Sequence, residues 1–210
     1  MDRIIGKRRK YLNTSVIILV ADFNGDQEII FERRNHAIPQ GDEICFPGGR
    51  IDESIDSTPE QAAIREACEE LGVSPDRIVA VQYLGTLIAT LGVAVDAFVG
   101  TIKIDSWDEI HPNAAEVESI FSIPIAWFQT HDPEEYQVKL EVHPYELDEN
   151  GHPRYLLPVG ELGIPERYHQ SWSGGTLPIY VYRTEHGLIW GITAEIMREF
   201  VQYFESGQMK

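Results

Sequence analysis

Cysteine is nearly absent: the 210-residue chain has two, Cys45 and Cys68. Two thiols make neither a disulfide framework nor a zinc set. Each sits in an apolar stretch, so both are expected as small core residues in a reducing compartment. Basic residues are scarce too, 17 Lys and Arg against 34 Asp and Glu, for a formal net charge of −17. Such a chain does not grip a nucleic-acid backbone by bulk attraction. If it handles phosphates, positive charge must come from elsewhere, and a bound divalent cation is the obvious source. No apolar run approaches the roughly 20 residues of a membrane helix. The basic start MDRIIGKRRK precedes an apolar run at 16–21 that is too short for a signal peptide, and Asp22 ends it without a small-residue cleavage pattern. The expectation is a cytoplasmic protein with neither membrane nor nucleic acid as partner. No EF-hand loop, internal repeat or low-complexity tract is apparent, which sets aside a calcium-binding acidic protein.

Hydrophobic residues make up 43% and charged residues 24%, as in a globular protein with a real core. The length fits one domain over 1–210 with a long insertion around 143–177. Residues 15–23 and 28–33 flank the turn Asn24-Gly25-Asp26 and read as a hairpin. A short strand at 44–46 breaks at Pro47-Gly48-Gly49. The best helix covers 58–71, with Thr58 as cap, Pro59 in the first turn, Gln61 completing a T-x-x-Q box and Gly72 ending it. Residues 78–90 and 93–104 flank Leu91-Gly92 as a second hairpin. Further strands are expected at 117–123, 138–142 and 179–182, a short helix at 126–130 and a closing helix at 193–204. The stretch 143–177, rich in Pro, Gly, Tyr and His, reads as a long loop. Strands with few helices point to a mixed sheet flanked by helices.

On a helical wheel of about 100° per residue, Glu66, Glu69 and Glu70 fall within an arc of about 100°. Ile64, Ala67, Cys68 and Leu71 lie opposite, as a core face. Three like charges so close are mutually repulsive, and Glu69 and Glu70 also face the unfavourable end of the helix dipole. Arg65 can reach Glu69 but cannot neutralise all three. A hard divalent cation could, since it takes carboxylates together with substrate phosphates and waters. Such a face is also an ordinary solvated helix surface. The Phe46-Pro47-Gly48-Gly49 turn before the helix favours a ligand, because glycines let one approach the backbone closely.

With Gly49 and the run Arg65-Glu66-Ala67-Cys68-Glu69-Glu70-Leu71-Gly72-Val73, the chain resembles the Nudix hydrolases, whose box reads G-x5-E-x7-R-E-U-x-E-E-x-G-U. Fifteen residues separate Gly49 from Arg65, where the pattern has thirteen. The early Glu of the box would fall at Ser57, and Asp52, Glu53 and Asp56 are the acids available to replace it. The resemblance implies a Nudix-type α/β/α sandwich with a mixed β-sheet. It also implies Mg²⁺- or Mn²⁺-dependent hydrolysis of a diphosphate linked to a second moiety. Glu66, Glu69 and Glu70 would be metal ligands, with Gly49 placing the loop and offering its carbonyl. Arg65 would orient the glutamates, and Glu116 would serve as extra ligand or general base. A bound metal neutralises phosphate charge and lowers the pKa of its water.

The stretches CFPGGRID, Phe121-Ser122-Ile123-Pro124-Ile125-Ala126-Trp127 and Ile189-Trp190-Gly191-Ile192-Thr193-Ala194 are similar to the coenzyme A pyrophosphatase branch. That branch implies cleavage of coenzyme A or an acyl-CoA to phosphopantetheine and adenosine 3′,5′-bisphosphate. Arg33 and Arg34 would meet the 3′-phosphate, with Gly48 and Gly49 also at the substrate. Other nucleoside diphosphate-linked substrates remain open (ADP-ribose, nucleotide sugars, dinucleoside polyphosphates), as does a non-catalytic Nudix-fold sensor. A homodimer is compatible with the sequence.

Overall fold

The computed structural model describes residues 6–23, 25–90 and 92–207. The expected turn residues Asn24 and Leu91 lie outside the described residues. The chain divides into two compact units, Met1–Glu134 with Val181–Lys210, and Glu135–Tyr180.

The first unit opens with a short helix α1 (Lys7–Lys10), then β1 (Leu12–Phe23) and β2 (Asp26–Arg34). These two pair antiparallel from Leu19↔Ile30 to Phe23↔Asp26, the first expected hairpin. Next come β3 (Ile44–Cys45), β4 (Gly48–Arg50), α2 (Pro59–Leu71), β5 (Ile78–Ala89), β6 (Val93–Ile102), β7 (Val117–Pro124) and α3 (Ile125–Thr130). β5 and β6 form the second hairpin. β1 runs parallel to β6 from Leu12↔Val93 to Val20↔Thr101, while β2 takes β7 antiparallel on its other side. The result is a mixed seven-stranded sheet. Ile17 to Leu19, Ala21 and Ile29 to Phe31 are fully buried. Near-continuous burial along a strand means that both sheet faces are covered.

Alternation along β2 shows what covers them. Ile30 packs in one cluster with Ala63, Ala67 and Leu71 of α2. Phe31, pointing the other way, packs against Phe128 of α3, with ring centroids 5.9 Å apart. The closing helix α4 (Gly191–Glu205) packs against α3 and follows the short strand Gly187–Trp190. Helices on both faces of a mixed sheet are the expected α/β architecture. No helix among the described residues is long and apolar enough to cross a membrane.

The start of α2 is built as its sequence dictates. Thr58 Oγ1 accepts from the Gln61 N–H at 3.2 Å, and Gly72 ends the helix with φ 65°. The return arm of the box differs from expectation, since Gln61 Oε1 accepts from the Ser57 N–H at 3.0 Å. The core face also differs. Ala62, Ala63, Ala67, Glu70 and Leu71 are buried, whereas Ile64 and Cys68 are only partly so. Small alanines let the helix sit close to β1, and that rotation carries Glu70 inward.

The second unit contains most of β8 (Glu134–Val142), then β9 (Tyr145–Leu147), β10 (Pro153–Tyr155) and most of β11 (Trp172–Thr184), with β12 (Gly187–Trp190) following in the first unit. β9 and β10 pair antiparallel, and β11 lies beside β8. The stretch 143–177 is therefore not one long loop. Gly174, Gly175 and Pro178 interrupt the β-forming pattern of β11 and hide the strand from a sequence reading. Val159 is buried, but most of the unit's side chains are exposed.

Candidate active site

The site is assembled from β2, the β3–β4 turn and α2. β3 pairs with β2 at Glu32↔Cys45 and Arg33↔Ile44, and β4 pairs with β1 at Ser15↔Gly49 and Val16↔Gly48. The Phe46-Pro47 step thus carries the chain across the sheet. Gly48 has φ 146°, and a Cβ there would lie 2.3 Å from the Ser15 carbonyl oxygen, so only glycine fits. A Cβ on Gly49 would lie 2.5 Å from Glu66 Oε2. The helix carboxylate therefore rests directly against the glycine turn. Ser15 Oγ, fully buried, donates to the Pro59 carbonyl at 2.7 Å and ties the start of α2 to β1.

Three carboxylates lie near this turn, close enough for their charges to act on one another. Glu70 is 4% exposed, and its Oε2 accepts from the Gly48 N–H at 2.8 Å. Glu32 has no exposed surface; its Oε1 accepts from Cys45 Sγ at 3.3 Å, and its buried Oε2 has no hydrogen-bond partner. Glu66 is half-buried and pairs with Arg65 Nη1 at 2.9 Å. Burial is the main cause that raises all three above the ordinary carboxylate range, and neighbouring carboxylates add to it, Glu116 and Glu66 on Glu32, Glu69 and Glu116 on Glu66, Glu32 and Glu66 on Glu70. Burial, followed by the charges of Glu32 and Glu70, pushes the Cys45 thiol well up.

Arg65 is fixed by a carboxylate outside the helix. Its Nε donates to Asp56 Oδ1 at 2.9 Å and its Nη2 to Oδ2 at 2.8 Å. This fork holds the Asp56 carboxyl below its usual range and raises the guanidinium further. Of the three acids available to replace the early Glu, Asp56 is buried and holds Arg65. The Asp52 carboxylate instead accepts from the N–H and hydroxyl of Ser54, and Glu53 is exposed. Arg65 also reaches Glu69 Oε2 at 3.2 Å, but that side chain is 56% exposed. Glu69 borders a shallow surface cleft with Gln61, Ile64, Cys68 and Pro75. The structure thus brings Glu66 and Glu70 into the cluster and leaves Glu69 at its outer edge.

Glu116 is exposed, on the loop before β7, and its charge acts on both Glu32 and Glu66. That loop is docked on the end of α2 by the Asn113 N–H to the Glu70 carbonyl at 3.0 Å, and by the His111 N–H to the Leu71 carbonyl at 2.9 Å. Arg33 and Arg34, between which the β2–β7 register shifts, reach different surroundings. The charge of Arg34 acts on Glu32 and Glu70. Arg33 donates to the Asp42 carbonyl at 3.1 Å and to the His186 carbonyl, on the side away from the cluster.

Sequence reading missed Glu32. A glutamate followed by two arginines at a strand end looks like ordinary surface. The available signal was its position two residues after Ile30, on the face that α2 covers.

Among the described residues, no three His, Cys, Asp or Glu side chains already converge as a metal cage. The donor set nonetheless fits a hard divalent cation. It is all oxygen, it carries mutually repelling carboxylates, and one buried oxygen lacks any partner.

Residues 12–144, more than half of the chain, match the family model described as NUDIX domain. The chain is 27% identical over 171 residues to an uncharacterized Nudix hydrolase NudL of Enterobacter sp., covering 81% of this chain and 71% of that protein. It is 30% identical over 128 residues to the peroxisomal coenzyme A diphosphatase NUDT7 of Mus musculus, covering 59% of this chain and 53% of that protein. A crystal structure of a MutT/nudix family protein from Enterococcus faecalis aligns over 96% of this chain and 64% of that one, with a TM-score of 0.50 and 12% identity, a likeness of fold alone. The family match, whose range includes the turn and helix that hold Glu66 and Glu70, shows that this chain belongs to the Nudix hydrolases, pyrophosphohydrolases that act on acid anhydrides.

Proposed function

We propose that the protein is a Mg²⁺- or Mn²⁺-dependent pyrophosphohydrolase that cleaves the diphosphate linkage of coenzyme A or an acyl-CoA. Water adds across the anhydride: a new P–O bond forms, the bridging P–O bond breaks, and 4′-phosphopantetheine and adenosine 3′,5′-bisphosphate are released. The observation that carries the reading is the inward-turned carboxylate cluster behind the Gly48-Gly49 turn. The coenzyme A assignment is supported by the name of the mouse relative and by the stretches around FPGG, Trp127 and Trp190.

In this reading Glu66 and Glu70 hold the cation, with Glu69 and the Gly49 carbonyl at its edge. Once bound, it supplies Lewis-acid charge neutralisation and an acidified water. Arg65, clamped by Asp56, fixes the direction of Glu66. In this reading Glu116, whose charge acts on Glu32 and Glu66, takes the proton of the attacking water. Arg34 adds positive charge next to the anionic cluster. The catalytic machinery lies within one Nudix domain, and 143–177 is carried as an insertion.

A panel of coenzyme A, acetyl-CoA, ADP-ribose, a nucleotide sugar and a dinucleoside polyphosphate, with Mg²⁺ or Mn²⁺ and products identified by mass, tests this. Fastest turnover of the coenzyme A compounds supports the assignment. Preference for another member moves the substrate within the same chemistry. No cleavage of any member with either metal ends the enzymatic reading and leaves the non-catalytic sensor.

A further inference from the structure

Glu32 stands outside the Nudix box, yet it is the most enclosed carboxylate of the cluster, with no exposed surface. A buried carboxylate normally has both oxygens satisfied, because burying an unpaired polar group is costly. Glu70 has the strong backbone donor Gly48 N–H on Oε2, and half-buried Glu66 has the Arg65 guanidinium on Oε1. Glu32 has only the weak thiol donor of Cys45, on Oε1, and its Oε2 has none. The charges acting on it are those of Arg34, Glu116 and Glu66, and its own charge acts in turn on Glu70. Two of these three are negative, so the cluster lacks positive charge where this oxygen is buried. An apolar side chain on the same face, continuing Ile30, would avoid the cost altogether. The pattern is that of a ligand whose partner is a cation.

We infer that Glu32, from the middle of the sheet, is a third carboxylate ligand of the divalent cation, beside Glu66 and Glu70 of α2. This rests on the metal-dependent reading above. It makes the cation a cross-link between β2 and the Nudix helix, held by two elements instead of one. The cation then relieves a repulsion that the metal-free protein carries, so binding and stability are linked through this residue.

The test uses the full chain as wild type, Glu32→Gln and Glu66→Gln. Mn²⁺ affinity is measured by titration against the paramagnetic resonance of free Mn²⁺, and thermal unfolding is followed in EDTA and in saturating Mn²⁺. Glu32→Gln is expected to melt above wild type in EDTA, to bind Mn²⁺ at least about tenfold more weakly, and to gain less from Mn²⁺ on heating. A purely structural role would move the melting temperature the same way with and without metal. If Glu32→Gln binds Mn²⁺ within twofold of wild type while Glu66→Gln loses affinity, the inference on Glu32 is overturned and the metal-dependent reading stands. If wild type itself binds no Mn²⁺, both fall. Should Glu32→Gln fail to fold, Glu32→Thr, which suits a strand and can still accept from Cys45, serves the same comparison.

Discussion

The backbone N–H of Gly48 donates to Glu70 Oε2 at 2.8 Å, joining the first residue of β4 to the last turn of α2. The contact places a helix carboxylate inside the protein next to Glu32, where burial and repulsion raise both above the ordinary 4.5.

That placement sets the pH dependence of the metal-free protein. A folded carboxyl with a raised pKa binds more protons than the unfolded one, so stability falls as pH rises. The loss begins near 4.5 and continues upward through the raised folded values. Urea unfolding in EDTA should show metal-free wild type losing stability from pH 5 to pH 8, with Glu70→Gln showing a flatter profile and greater stability at pH 8. The same variant should lose about 10³-fold in turnover, since several kcal/mol of charge stabilisation depend on the metal site. A Glu70→Gln protein with the wild-type pH slope would contradict the burial argument.

The two glycines of the turn should respond differently to alanine. At Gly48 the new Cβ meets the Ser15 backbone at 2.3 Å with φ 146°, and neither can give. Gly48→Ala should cost about 3 kcal/mol or more, from strain and steric repacking together. At Gly49 the obstacle is the tip of Glu66, a movable side chain. Gly49→Ala should fold with less than about 1 kcal/mol lost, yet turn over at least about 100-fold more slowly because Glu66 is displaced. Chemical denaturation beside steady-state kinetics separates the two.

The contrast shows what was legible in the sequence. Thr58, Gln61 and Gly72 act on backbone groups a few residues away, so local spacing marked the helix correctly. The two hairpins are equally local. The inward turn of Glu70 is not, because it follows from Ala63 and Ala67 docking against strands distant in the chain. Glu32 joins the cluster because that face of β2 is covered by α2, and only its spacing from Ile30 hinted at this in the sequence. Asp56 reaches Arg65 because the lengthened loop folds back through the Asp56 N–H to the Asp52 carbonyl at 2.7 Å, a turn that spacing alone could not choose among three acids.

The Asp56–Arg65 fork gives the opposite pH sign to Glu70. Asp56 is held below its ordinary 3.8, so its contribution is complete above that value and is lost as pH falls through the lowered folded value. Asp56→Asn should cost about 1–3 kcal/mol at pH 7. Wild type and variant should converge in stability as pH drops below 3.8. Equal stabilities at pH 7 would show that the fork contributes nothing there.

Arg33 and Arg34 are adjacent, carry the same charge and were expected to share one role, so exchanging each for glutamine tests their different surroundings directly. Arg33 is committed to the Asp42 and His186 carbonyls, on the side of β12. Its loss removes charge-assisted hydrogen bonds at a partly exposed site and should cost about 1–2 kcal/mol, with kcat/KM unchanged within about twofold. Arg34 instead acts electrostatically on Glu32 and Glu70, while its Nε donates to the Pro39 carbonyl at 3.3 Å. Removing it takes a positive charge from beside an anionic cluster that must admit an anionic substrate. KM should rise about tenfold, as for one lost charge-assisted contact, and raising the salt concentration should narrow the gap from wild type. If Arg33→Gln raises KM and Arg34→Gln does not, the substrate approaches from the Arg33 side, and Arg34 instead serves to steady the carboxylates.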